Sequence, residues 1–179
     1  MAMTKRIYFG EFDGRGWPEP ERLRPYFLGP PEQLWAFQTR NDHWGISLEG
    51  VDGTDHLKLN NGRIDIELEM YGHPDFGVLL FWAKRRGATF SSKGDLSRLQ
   101  EWVRTLHGDL RPVGLFIPFE EAWKAVKEFI ETDGALPRSI EWIANRDLPP
   151  DVFPEPHAKV SPIYESGTYD YSERWRGRN

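Results

Sequence analysis

The chain contains no cysteine. That absence removes disulfides, thiolate nucleophiles and cysteine-ligated zinc together, and it fits a reducing compartment. Long apolar runs are missing as well: nothing approaches the ~20 residues of a membrane span. The opening MAMTKRIYFGEFDG holds no apolar stretch of the length a secretory signal needs. Neither a Gly-x-Ser-x-Gly elbow, a phosphate-cradling P-loop nor a dinucleotide glycine fingerprint occurs. The five histidines, His43, His56, His73, His107 and His157, show no close metal-ligand spacing. Positive charge is in deficit, 23 Lys and Arg against 28 Asp and Glu, for a net charge of −5. Binding to phosphate backbones works through a lysine and arginine excess that releases counterions. The expectation is a cytoplasmic protein with no membrane or direct nucleic-acid partner, no cofactor and no metal, for which a basic protein is the natural partner.

What the chain has in quantity is aromatic bulk. Eight Trp, eleven Phe and six Tyr in 179 residues supply enough large apolar groups for one core at a length typical of a single domain. Residues 1–150 read as that domain. Residues 151–179, with DLPPDVFPEPHAKVSP leading into YDYSERWRGRN, read as a Pro- and aromatic-rich C-terminal tail packed on the body.

The first 42 residues are dense in Gly, Pro and aromatics and predict irregular packing arms with one short strand at Arg6 to Gly10. Short strands are expected at His43–Leu48 and, from a run apolar on both parities, at Val78–Trp82, the latter covered on both faces. The chain then turns at Arg86-Gly87 and returns through Phe90. Residues 96–106 fit either a helical stripe or a strand turning at Gly108-Asp109. Val113–Ile117 and Ser139–Ile143 read as further strands. Between them, Phe119–Glu131 places Phe119, Ala122, Trp123, Val126, Phe129 and Ile130 on one helical face, with Pro118 at its start and Gly134 at its end. Trp123 and Trp142 read as core. The fold class is α+β, an antiparallel sheet packed against one main amphipathic helix.

The clearest local pattern is GRIDIELEMYG, residues 62–72, where Ile64, Ile66, Leu68 and Met70 alternate with Asp65, Glu67 and Glu69. Asn61-Gly62 is a strong hairpin signal. A two-residue turn there pairs Leu59 with Ile64, Lys58 with Asp65, Leu57 with Ile66 and His56 with Glu67. The carboxylates, ~6.7 Å apart along the strand, would then form a solvated acidic face with Lys58 and His56 across from it. Three uses are open to that face: plain solvation, docking of a basic partner, or a divalent-metal site in an enzyme using Asp65, Glu67 and Glu69. Hard cations want several convergent oxygens, and no second acidic cluster is placed to complete a shell.

From residue 114 the sequence reads GLFIPFEEAWKAVKEFIETDGALPRSIEW. An apolar residue and proline open an amphipathic helix, and glycine, proline and a short strand ending in tryptophan follow it. With Ile117, Pro118, Ala122, Val126, Phe129, Gly134, Pro137 and Trp142 in these places, the segment resembles the first-described family of immunity proteins from bacterial polymorphic toxin systems. Weaker similarity runs back through Asp95, Gly94, Ser92 and LLFWA to about Trp44. The resemblance implies an α+β fold, a toxin partner, often of deaminase type, and no catalytic residue. It points to a non-enzymatic inhibitor that occludes its cognate toxin, with Asp65, Glu67, Glu69 and His56 as the candidate docking face. A metal-dependent enzyme and a structural interaction module are the alternatives.

Overall fold

The computed structural model describes residues 3–29, 42–50, 64–85, 87–155 and 164–165. Strands β1 (Thr4–Phe9), β2 (Phe12–Arg15), β3 (His43–Glu49), β4 (Ile64–His73), β5 (Gly77–Lys84), β6 (Thr89–Ser92), β9 (Phe116–Ile117) and β10 (Trp142–Ala144) form one sheet. Its order is β10-β6-β5-β4-β3-β1-β2, with β9 beside one end of β5, and every pair is antiparallel. Strands β7 (Trp102–Arg104), β8 (Leu110–Pro112) and β11 (Tyr164–Glu165) make a second, small sheet. Helices α1 (Pro20–Leu28) and α2 (Phe119–Glu131) complete the α+β arrangement.

Side chains alternate across a strand, so this sheet has two faces of different character. Ile7, Phe9, Trp44, Ile46, Leu48, Leu68, Met70, Val78 and Leu80 line one face under both helices. Helix α2 buries Phe119, Ala122, Trp123, Ala125, Val126 and Phe129 there, the face its 3.6-residue period predicts. Fully burying a ring such as Phe129 contributes roughly 2 to 3 kcal/mol. The helix ends where Gly134 N–H donates to the Phe129 carbonyl at 2.8 Å, with Asp133 at φ 51° and Gly134 at φ 92°. That six-to-one bond satisfies an otherwise orphaned carbonyl in the last turn. The left-handed residue after the cap is thus Asp133, one before the glycine expected to terminate the helix.

The described residues cover the opposite face only in part. Tyr71, Leu79, Phe81, Leu99, Leu115, Phe116, Leu148, Val152 and Phe153 form a second apolar cluster over β5 and the end of β4. Strand β5 therefore sits between two cores, which is why its sequence is apolar on both parities. Trp102 Nε1 donates to the Val152 carbonyl at 3.0 Å and ties residues 148–153 to β7.

Several expectations are corrected. Residues 1–42 hold a β-hairpin, β1–β2, and a helix. Helix α1 starts with Pro20, where no backbone N–H is needed, and carries Pro25 internally. Burial of Leu23, Tyr26 and Phe27 against α2, with the Phe27 and Trp123 rings 5.5 Å apart, outweighs that interruption. Residues 96–106 resolve into a 3-10 turn at Leu96–Arg98 and strand β7, with Gly108 at φ 90° in the turn to β8. Val113–Leu115 is a 3-10 turn and only Phe116–Ile117 is strand. Of Ser139–Ile143 the strand takes the end, at Trp142–Ala144. Of the 151–179 tail, residues 151–155 and 164–165 are described.

The proposed 56–67 hairpin fails where it can be checked. Residues 51–63, including His56, lie outside the described residues, but β4 is central and both its edges are taken. Ile66 pairs with Leu48 and Lys84, and Glu67 with Ser47 and Ala83. A strand carrying two ladders has no edge left for Leu57 and His56 at those positions.

Candidate functional site

On the half of the second face that the described residues leave uncovered, the registers bring together residues far apart in sequence. Strand β3 contributes His43, Gly45, Ser47 and Glu49, and β4 contributes Glu67, Glu69 and Tyr71. Gly45 stands between Tyr8 on β1 and Glu69 on β4, and Ser47 between Arg6 and Glu67. With no side chain at Gly45, a pit opens in the sheet surface. It belongs to a groove of about 250 Å³ lined by Arg6, Tyr8, Asp13, His43, Ser47 and Glu67. Tyr8 is 48% exposed beside the pit.

The acidic row is not the uniform wet edge its alternation suggests. Asp65 is buried, at 4% exposure, and its backbone carbonyl accepts the Arg85 N–H at 2.8 Å. Glu67 and Glu69 are both half-buried; Glu67 lines the groove, and Glu69 stands beside it, turned to His43 and Tyr71. Glu69 is tightly held: His43 Nε2 lies 3.2 Å from its Oε2, and the Tyr71 hydroxyl donates to the same oxygen at 3.2 Å. Arg111 donates in turn to the Tyr71 hydroxyl at 3.1 Å and lies over its ring. The His43 and Tyr71 rings stack 4.4 Å apart. The hydrogen bond from His43, assisted by Tyr71, holds the Glu69 carboxyl below the usual carboxylate range against the opposing effect of burial. Burial of Tyr71 pushes its own hydroxyl up to about 12, so it stays a donor at neutral pH.

Glu67 is the contrary case. Burial, the charge of Glu69 and a hydrogen bond shared with that carboxylate push its carboxyl up to about 7. Glu67 therefore holds its proton to far higher pH than an ordinary carboxyl. Two carboxylates on one face with a single set of donors cannot both ionise cheaply. The donors belong to Glu69.

A larger cleft, about 620 Å³, lies beside the start of α2, between Lys93, Asp95, Glu121, Arg138 and Glu141. Its charges are arranged as a clamp on the fold. Glu128 accepts the backbone N–H groups of Arg138 and Ser139 at 2.8 and 2.9 Å, and Lys93 lies 3.9 Å from Glu141. Opposite charges offset one another there, whereas the groove holds a carboxylate that its surroundings keep partly protonated. The groove is therefore the better candidate for recognition.

Among the described residues, no three His, Cys, Asp or Glu side chains are grouped so as to hold a metal ion, and no helix is long and apolar enough to cross a membrane. Asp65 is buried whereas Glu67 and Glu69 are half-buried, so the three acids do not form one evenly exposed row. Sequence pattern missed His43, Gly45, Tyr8, Tyr71 and Arg111. A signal was available in HWGISLE: His43, Gly45, Ser47 and Glu49 are the polar or small parity of a strand whose other parity is Trp44, Ile46 and Leu48.

The family model described as Immunity protein Imm1 matches residues 37–144, more than half of the chain. The chain belongs to the Imm1 family of immunity proteins. The match takes in β3 through β10 and α2, and it contains the whole stretch from Trp44 to Trp142 over which the resemblance was traced. It also contains His43, Gly45, Glu67 and Glu69, while β1, β2 and α1 lie before it. No curated protein and no solved structure gives a significant match. Membership in an immunity-protein family implies a toxin as the binding partner.

Proposed function

We propose that this Imm1 protein neutralises its toxin by occlusion, docking the uncovered half of its sheet, with Glu67 and Glu69 at the centre, onto a cationic cleft of the toxin. The observation that carries this reading is the Glu67–Glu69 pair. The fold keeps two half-buried carboxylates side by side in an open groove, at a cost to its own stability that packing does not explain. Such arrangements cluster at functional surfaces. A cation brought by a partner relieves the repulsion, so the pair is an energetic reserve for binding.

Charge supports the same direction. The chain carries a net charge of −5, which steers it toward a basic surface and raises the association rate. If the toxin is a nucleic-acid deaminase, the type the family resemblance brings with it, its cleft must attract phosphate and is positive for that reason. A carboxylate-bearing face blocks such a cleft by occupying the same field. Asp65, buried beneath the surface, contributes to that field and not to contact. His56 lies outside the described residues and its place in the interface rests on sequence alone.

The test is binding and protection with a cognate toxin domain, sought among the genes neighbouring this one. Co-expression with the wild-type chain should restore growth of cells that the toxin domain alone arrests. Reversing Glu67 and Glu69 together to lysine should weaken binding by roughly tenfold or more, as for central charges in an interface, and flatten its dependence on salt. Unchanged affinity with unchanged salt dependence would remove this face from the interface.

A further inference from the structure

The pit over Gly45 has a shape and a chemistry that define what can enter it. Its floor is backbone, because Gly45 has no side chain. Tyr8, the register partner of Gly45 on β1, and Glu67 of β4 line the same groove, and Glu69, the partner of Gly45 on β4, stands beside Glu67 on the same face. A Cβ built on Gly45 would stand 3.5 Å from the nearer Glu67 oxygen and 4.0 Å from the Leu68 carbonyl. An atom entering the pit from a partner would thus meet the Glu67 carboxylate oxygen and backbone carbonyl first, with Tyr8 in the wider groove around it.

The charges around the pit favour a cation. Glu67, Glu69 and Asp13 face it from β4 and β2. Arg6 lines the groove, but its Nε lies 2.6 Å from the Glu49 carboxylate, which offsets it, and Arg15 is farther out, beside Arg6. His43 is engaged with Glu69. Long cationic side chains bury an apolar stem and keep a charged head among polar groups, and an aromatic face next to carboxylates suits both parts.

Resting on the docking reading above, we propose that the Gly45 pit receives one lysine or arginine side chain of the bound toxin, its charged head between Glu67 and Glu69 and its methylene stem along the Tyr8 ring. A cation so placed displaces the proton shared by the two carboxylates. Binding is therefore accompanied by proton release, and it strengthens as pH rises through neutrality.

Two measurements test this, and they separate it from the docking reading. In the first, methylguanidinium chloride is titrated into the full chain while the Gly45 amide and the Glu67 side-chain carboxyl are followed by NMR. A saturable shift of both is expected, with a dissociation constant on the order of 10 mM, as befits a single partly exposed ion pair. It should be absent with tetramethylammonium at equal ionic strength and absent in Gly45→Val, whose side chain fills the pit. Valine suits a strand, and its Cβ meets only ordinary contact distances, so the variant should fold. Shifts that never saturate, or that tetramethylammonium reproduces, overturn the proposal.

In the second, the cognate toxin domain used to test docking is bound to wild type, Gly45→Val and, as a control, Glu120→Gln on the exposed side of α2. Gly45→Val should weaken binding roughly tenfold or more and the control should not. Equal binding by wild type and Gly45→Val, with loss in the Glu67 and Glu69 charge reversal, sinks the pit and leaves the docking face standing. Equal binding by all of them sinks both.

Discussion

Within strand β4, Leu68 and Met70 face the helices and are wholly buried, while Glu67 and Glu69, each a single residue away, face the groove. The two sets alternate along one strand, yet they obey opposite rules. The helix face is mostly apolar contact, so removing methylenes there costs stability. The groove face holds charge against burial, so one of its acids stabilises the fold and the other opposes it. Alternation along a strand thus separates two functions, one serving the fold and the other a partner.

The sharpest way to break this contrast is at Leu68, fully buried between Ile46 and Trp82 across the ladders. Leu68→Ala should cost about 3 kcal/mol, within the 2 to 5 kcal/mol typical of large-to-small core changes. Urea denaturation should show a lower midpoint with an unchanged slope. A loss under about 1 kcal/mol would mean that the helix face of β4 is not the core it is taken to be.

Glu69→Gln sharpens the groove side. The native carboxylate accepts from His43 and Tyr71, and those bonds hold it ionised below its usual range. A group lowered in this way contributes stability above its ordinary pKa and loses it as pH falls through its folded value. The variant should be about 1 to 2 kcal/mol less stable at pH 7, with the difference shrinking below about pH 4. A deficit that stays constant down to pH 3 would show that shape, not charge, is what the His43 and Tyr71 contacts recognise.

How far the sequence discloses this arrangement depends on how local the governing force is. Helix α2 is legible because six apolar residues recur at helical spacing, and β5 because both its parities are apolar. The strand character of β4 is legible from alternation, but its neighbours are not. An Asn-Gly turn argues for the nearest segment, whereas the sheet places β3 and β5 on its edges. Helix α1 is hidden because Pro25 reads as a breaker, and only its packing on α2 overrides that. The site is less legible than the fold, since His43 and Glu69 are 26 residues apart and meet only through sheet order. The alternation indicated which acids share a face. It could not indicate that Asp65 is buried while Glu67 and Glu69 are only half-buried.

The smallest effect expected has the opposite sign to the others. Glu67 has its carboxyl raised from the ordinary 4.5 to about 7. Below about pH 4.5 the group is protonated in both folded and unfolded chains and the folded state suffers nothing. Between 4.5 and 7 the unfolded chain has released the proton and the folded chain still holds it, so stability falls as pH rises. Above 7 both states are ionised and the loss is complete. After allowance for solvent reaching the groove, that loss is about 1 to 2 kcal/mol. Glu67→Gln removes it, because the amide is neutral throughout and can still donate to Glu69. The variant should match wild type at pH 5 and exceed it by about 1 to 2 kcal/mol at pH 8 in thermal or urea unfolding. Subtracting the two profiles also cancels the same-signed contribution of buried Asp42, whose carboxyl burial likewise raises. A flat difference across pH 5 to 8 would show that Glu67 is ionised at no cost, and the energetic reserve assigned to the groove would vanish with it.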